Sequence, residues 1–117
     1  IILRGGANGP NYGAYDVAEA IDKLNKSGVS DAIMTDASHA NCGKDDTKMP
    51  SVYREIVRQR ANGNKKVVAA MLESNLVAGN QKFPQPLETL TYGQSITDKC
   101  IDWNTTVTLV NETFAAL

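Results

Sequence analysis

The residues best suited to chemistry gather in Asp36-Ala37-Ser38-His39-Ala40-Asn41, which holds the only histidine of the chain. A short apolar run, Ala32-Ile33-Met34, leads straight into it. The pattern recurs twice. Ile1-Ile2-Leu3 ends in Arg4-Gly5-Gly6, and Val67 to Leu72 ends in Glu73-Ser74-Asn75. Each run finishes on one chemically capable side chain: Arg4, His39 or Glu73. Imidazole with carboxylate is a ligand set for Mn, Fe, Zn or Co. Arginine grips phosphate or carboxylate with two parallel N–H donors, and glycines beside it let backbone approach a ligand closely. Arg-Gly at a strand end also serves turns, so that pair alone leaves both readings open. Asp98, in Ser95-Ile96-Thr97-Asp98, is a further carboxylate that could return to the same place. Its alternative is a position near the first turn of the last helix, where the helix dipole favours negative charge. Cys42 lies three residues after His39. Without a helix there, nothing forces it onto the same side, and it reads as an incidental buried thiol.

These side chains need elements to position them. Continuous apolar runs between turn signals read as strands of a parallel sheet covered by helices. Ile1-Ile2-Leu3, Ala32-Ile33-Met34 and Val67 to Leu72 are the three. Between them, Val17, Ala18, Ile21 and Leu24 recur at helical spacing over about Tyr15 to Lys26, with Gly28 as the stop. A second helix opens at Pro50 or Ser51, where a missing N–H costs nothing, and runs to about Asn62 with Val52, Ile56 and Val57 inward. After the third strand comes a long loop, Glu73 to about Tyr92, of a length that is uncommon in compact domains unless it is functional. A turn or two of helix is expected over Thr97 to Trp103. Helix continues over Thr106 to Ala116, with Val107, Val110 and Phe114 on one face. Strand, helix, strand, helix, strand, helix gives an α/β fold with parallel strands and right-handed crossovers. Pattern alone leaves barrel and open sheet both possible. In either, chemistry sits at the carboxyl ends of strands, where neighbours lie about 4.8 Å apart.

Four blocks, in order, resemble the class I 3-deoxy-D-arabino-heptulosonate 7-phosphate (DAHP) synthases. They are Ile2-Leu3-Arg4-Gly5-Gly6, Asp36-Ala37-Ser38-His39-Ala40-Asn41, Leu72 to Gln81, and Tyr92 to Cys100. The resemblance implies a (β/α)8 TIM barrel, of which this chain supplies the last three βα units. Residues 1–117 would then be the C-terminal part of one catalytic domain. It implies condensation of phosphoenolpyruvate with erythrose 4-phosphate, the first step of the shikimate pathway. It implies a divalent metal held by a Cys, a His, a Glu and an Asp, the last three mapping onto His39, Glu73 and Asp98. Arg4 maps onto an arginine that binds phosphoenolpyruvate, and Asp36 falls in or beside the metal's surroundings. His39 and Asp98 would also take part in catalysis, with Asp98 beside substrate. The family's Gly-Pro-Cys-Ser and Lys-Pro-Arg blocks do not occur in this chain, so the fragment alone is expected to be inactive. The alternative is a non-catalytic half-barrel module that binds metal or phosphate.

Composition narrows the partners. Twelve Lys+Arg against thirteen Asp+Glu leave a net charge of -1, with no basic stripe for nucleic acid. No apolar run approaches the roughly 20 residues of a membrane helix. Two cysteines are too few for a disulfide scaffold, so a cytoplasmic source is expected. Unpaired strand edges predict association, and a homo-oligomer is expected.

Overall fold

The computed structural model describes residues 1–117. The three apolar runs form parallel strands β1 (Ile2–Leu3), β2 (Ile33–Asp36) and β3 (Val67–Met71), hydrogen-bonded in the order β1-β2-β3. Leu3 stands opposite Thr35, and Asp36 opposite Met71. The strand expected over Ala32 to Met34 therefore begins at Ile33 and runs two residues further, through Thr35 to Asp36. Sequential strands lie side by side, so each right-handed crossover steps the same way.

Helix α1 (Ala14–Lys26) buries Val17 and half-buries Ala20, Ile21 and Leu24. Ala18 is exposed, and Ala20 takes the inward place assigned to it. Gly28, at φ 67°, ends the helix: its N–H donates to Asn25 O, and the next N–H, of Val29, donates to Leu24 O. Helix α2 (Met49–Ala61) begins one residue before Pro50 and buries Met49, Val52, Ile56 and Gln59. Helix α3 is Trp103–Ala116, capped by Asp102, whose carboxylate accepts from Thr105 N–H at 2.7 Å.

The core lies between the sheet and the helices. Leu3, Ile33 and Val67 pack with Val17, Val52, Ile56 and Leu109. Side chains alternate along a strand, so Ile2 and Val68 point the other way, and they are exposed at 53% and 60%. One face of the sheet is thus covered by helices and the other is bare.

Two expectations fail in the C-terminal third. Thr97 to Ile101 is not helical. Instead Cys100 bridges Gly79 and Ile101 bridges Ser74, extending the sheet past the end of β3. Pairing takes this stretch because it satisfies backbone groups of Glu73, Asn75 and Gly79, which a helix over Cys100 and Ile101 would leave without these partners. The face of α3 is also reversed. Leu109 is buried, and Thr113 donates to the Tyr53 hydroxyl of α2 at 3.2 Å, while Val107, Val110 and Phe114 face solvent. The bidentate Arg54–Glu112 pair, at 2.7 and 3.0 Å, tethers α2 to that same side of α3.

The long loop after β3 is not structureless. It contains β4 (Val77–Asn80) and a 3-10 turn over Leu87–Thr89, and β4 pairs with β5 (Gln94–Ser95) just after it. Side-chain amides do much of the pairing. Gln81 Oε1 accepts from Thr91 N–H at 2.8 Å, and its Nε2 donates to Thr91 O and Gln94 O. Gln94 Nε2 donates to Ala78 O at 2.8 Å.

Candidate metal centre

His39, Glu73 and Asp98 converge at the carboxyl end of the sheet. One ligand atom from each lies within 4.8 Å of the others. His39 Nε2 is 3.5 Å from Glu73 Oε1 and 4.0 Å from Asp98 Oδ2. The alternative for Asp98, a carboxylate in the first turn of the last helix, is excluded: Asp98 precedes the cap Asp102 and faces the imidazole.

Each side chain is placed by its own device. His39 follows β2 at φ 52°, in the left-handed region that non-glycine residues avoid at a cost of about 1 kcal/mol or more. What holds it there is Asp36, fully buried, whose Oδ2 accepts from His39 Nδ1 at 2.6 Å while its Oδ1 accepts from Ser38 N–H at 2.7 Å. With Nδ1 spent on Asp36, Nε2 points at the two carboxylates, free to turn its lone pair to a cation when the imidazole is neutral. Glu73 is fixed through its backbone: its N–H donates to the buried Ser38 Oγ at 2.9 Å. Asp98 is framed by the long loop. Asn80 Nδ2 donates to Thr97 O at 2.7 Å on one side, and Gly79 exchanges two backbone bonds with Cys100 on the other.

The donor set fits a cation. His39 Nε2 and the carboxylates of Glu73 and Asp98 face one another, three groups that can each give a lone pair to a cation. Glu73 Oε2 is buried and has no hydrogen-bond partner. A buried acceptor left unmatched costs about 1–3 kcal/mol, and a bound cation removes that cost. Burial pushes the Glu73 carboxyl above its ordinary range, against the opposing pull of His39; Asp98 and Asp36 push it the same way as burial, and Arg4 pulls it down. Nitrogen with two oxygens suits borderline divalent metals such as Mn, Fe, Co or Zn. Neither cysteine joins the group. Cys42 is buried with its thiol on His39 O, and Cys100 is buried with its thiol near Asp98 O.

Arg4 stands at the same mouth. It is exposed, makes no ion pair within the chain, and lies near enough for its charge to act on Glu73. Its place depends on Gly5, at φ 73°. A Cβ there would lie 2.7 Å from Ala40 Cβ and 2.9 Å from Asn41 N, so only glycine lets the β1 loop touch the His39 loop.

Ser38, Asn41, Asn80 and Gln81 are the positioning residues that periodicity does not reveal. They lie in the blocks Asp36 to Asn41 and Leu72 to Gln81, as amides and hydroxyls inside segments that end strands or connect them, where such side chains replace backbone partners.

Fold and site together define a class: a parallel α/β protein whose strand ends present a His/Glu/Asp cluster beside an unpaired arginine. The chain belongs to the DAHP synthetase I family, whose model matches residues 1–111. It is 47% identical over its full length to phospho-2-dehydro-3-deoxyheptonate aldolase of Corynebacterium glutamicum, covering 33% of that protein. It is 43% identical over 96% of its length to the Tyr-sensitive enzyme of that name from Enterobacter agglomerans, covering 52% of it. The Phe-sensitive enzyme of Escherichia coli is 46% identical over 96% of this chain and is covered to 31%. Among solved structures, phospho-2-dehydro-3-deoxyheptonate aldolase from Francisella tularensis SCHU S4 superposes with a TM-score of 0.91. It is 44% identical over 98% of this chain, which spans 33% of that one. The chain therefore spans between about a third and about half of these relatives. No helix is long and apolar enough to cross a membrane.

Proposed function

We propose that residues 1–117 are the C-terminal part of a single TIM-barrel catalytic domain that condenses phosphoenolpyruvate with erythrose 4-phosphate to give DAHP and phosphate. The observation that carries this reading is the convergence of His39, Glu73 and Asp98 at the strand ends, with Glu73 Oε2 buried and unmatched. Sequential strand order with one helix-covered face supports an arc of a barrel, and the bare face supports the missing remainder.

His39, Glu73 and Asp98 are three ligands of a divalent metal, Mn, Fe, Co or Zn; the fourth, a cysteine, belongs to sequence outside this chain. When bound there, the metal supplies Lewis-acid polarisation of the aldehyde carbonyl. Arg4 holds the charged end of phosphoenolpyruvate and sets its orientation, so that its enol carbon meets the aldehyde carbon. That C–C bond forms as water adds to the neighbouring carbon of phosphoenolpyruvate, and the C–O bond to phosphate breaks. Asp36 keeps His39 in the tautomer that leaves Nε2 free. Asp98, the most exposed of the three at 47% of its side chain, faces the side from which substrate enters and contacts it there. A homo-oligomer and a cytoplasmic setting belong to the same reading.

The test uses the full-length enzyme. His39→Ala should lose bound metal, measured by elemental analysis, and condensation activity together. An enzyme that keeps both overturns the assignment.

A further inference from the structure

We propose that Asn41 is a positioning residue that sets the separation of Arg4 from the His39 centre, acting through Asn11; this rests on the function proposed above.

Asn41 is 3% exposed and makes three hydrogen bonds with its amide, to three separate segments. Its Nδ2 donates to Leu3 O at 3.1 Å, the last carbonyl of β1 before Arg4. The same nitrogen donates to Asp36 O at 2.7 Å, the last carbonyl of β2. Its Oδ1 accepts from Asn11 N–H at 2.7 Å. Asn11 in turn accepts from Gly5 N–H with its own Oδ1 at 2.6 Å. The relay closes a ring through β1, Arg4-Gly5, Asn11, Asn41 and β2. Gly5 is the point where the ring is pulled tight against Ala40.

Strand pairing alone does not do this. The β1–β2 ladder ends at Leu3 opposite Thr35, one residue short of Arg4 and four short of His39. Beyond the ladder, the hydrogen bonds that join the Arg4 loop to the loop that carries His39 are those of the Asn41 amide with Leu3 O and with Asn11 N–H, and the Asn11 side chain passes the link on to Gly5. Both loops depart from extended backbone, with Gly5 at φ 73° and His39 at φ 52°, and need such fixing. A buried amide has four hydrogen-bonding positions, and Asn41 has donors and acceptor matched to three carbonyl and N–H groups of the two loops. Aspartate, of the same size, would set a carboxylate oxygen against two carbonyls.

The test reads the Arg4 side of the site separately from the metal side, in the full-length enzyme. Asn11→Ala removes only the Gly5 link and leaves the strand-end bonds of Asn41 in place. It should raise the phosphoenolpyruvate KM about tenfold, with bound metal and the erythrose 4-phosphate KM changed by less than about twofold. Asn41→Asp should do the same or more. On an Arg4→Lys background the Asn11→Ala effect should shrink below about twofold, because the arm it positions is already impaired. An unchanged phosphoenolpyruvate KM overturns the proposal, as does full additivity with Arg4→Lys, or a parallel loss of metal. Should Asn41→Asp fail to fold, Asn11→Ala carries the test. Calorimetric affinity for inorganic phosphate reads the same coupling without turnover. It should weaken in Asn11→Ala, and no change overturns the claim. An unsubstituted enzyme that binds phosphate but does not condense the two substrates would instead refute the function.

Discussion

Replacing Gly5 with alanine in the full-length enzyme should damage substrate handling well before it damages the fold. Two costs follow from the structure. The φ of 73° is unfavourable for alanine by about 1 kcal/mol. The new Cβ would also sit 2.7 Å from Ala40 Cβ, 2.8 Å from Ala40 C and 2.9 Å from Asn41 N. Carbon atoms in contact lie at about 3.5–4.0 Å, so the Arg4 and His39 loops must part by about 1 Å. Parting them strains the Gly5–Asn11 bond, for about another 1 kcal/mol. The stability loss is then about 2 kcal/mol or somewhat more. The kinetic loss should be larger in proportion, because a misplacement of about 1 Å can cost about a hundredfold in rate. Gly28→Ala is the matched control. Gly28 has a similar φ of 67°, and nothing lies within 4 Å of the Cβ it would gain. Steady-state kinetics and thermal unfolding of both variants separate the terms. We expect Gly28→Ala to lose about 1 kcal/mol and no activity, and Gly5→Ala to lose between tenfold and a hundredfold in kcat/KM for phosphoenolpyruvate while keeping its metal. Equal behaviour of the two variants would refute the close-approach argument.

Two further outcomes are expected. The Glu73 carboxyl is raised chiefly by burial, so the metal-free fold favours its protonated form and loses stability as pH rises from the ordinary Glu range through the raised value. Metal needs the carboxylate; its affinity should therefore climb as pH rises from the ordinary Glu range through the raised value, with proton release, seen by calorimetry in two buffers of different ionisation heat. An affinity flat across that range, or unaltered pH dependence in Glu73→Gln, would contradict it. The isolated 117-residue chain carries exposed Trp103, Val107, Val110 and Phe114 on α3 and a bare sheet face with Ile2 and Val68. Its sedimentation coefficient should rise with concentration, whereas a sharp monomer at every concentration would show that these surfaces need no partner.

The sequence by itself determined the α/β order, the approximate limits of α1 and α2, and the candidates Arg4, His39, Glu73 and Asp98. These were legible because apolar runs between turn signals record burial locally, and because a lone imidazole or arginine at a run's end is visible one residue at a time. The geometry among them was not. That His39 turns its Nε2 to Glu73 depends on Asp36 and a left-handed backbone, and that Arg4 stands beside them depends on Asn41, Asn11 and the missing Cβ of Gly5. The C-terminal third departs from its local pattern for the same reason. Thr97 to Ile101 joins the sheet at Gly79 and Ser74 instead of forming helix, and α3 buries Leu109 and leaves Val107, Val110 and Phe114 outside. Local propensity cannot see partners brought in from distant sequence. The apolar stripe of α3 could mark an inner face only if something covered it, and within these residues α2 packs against the other side.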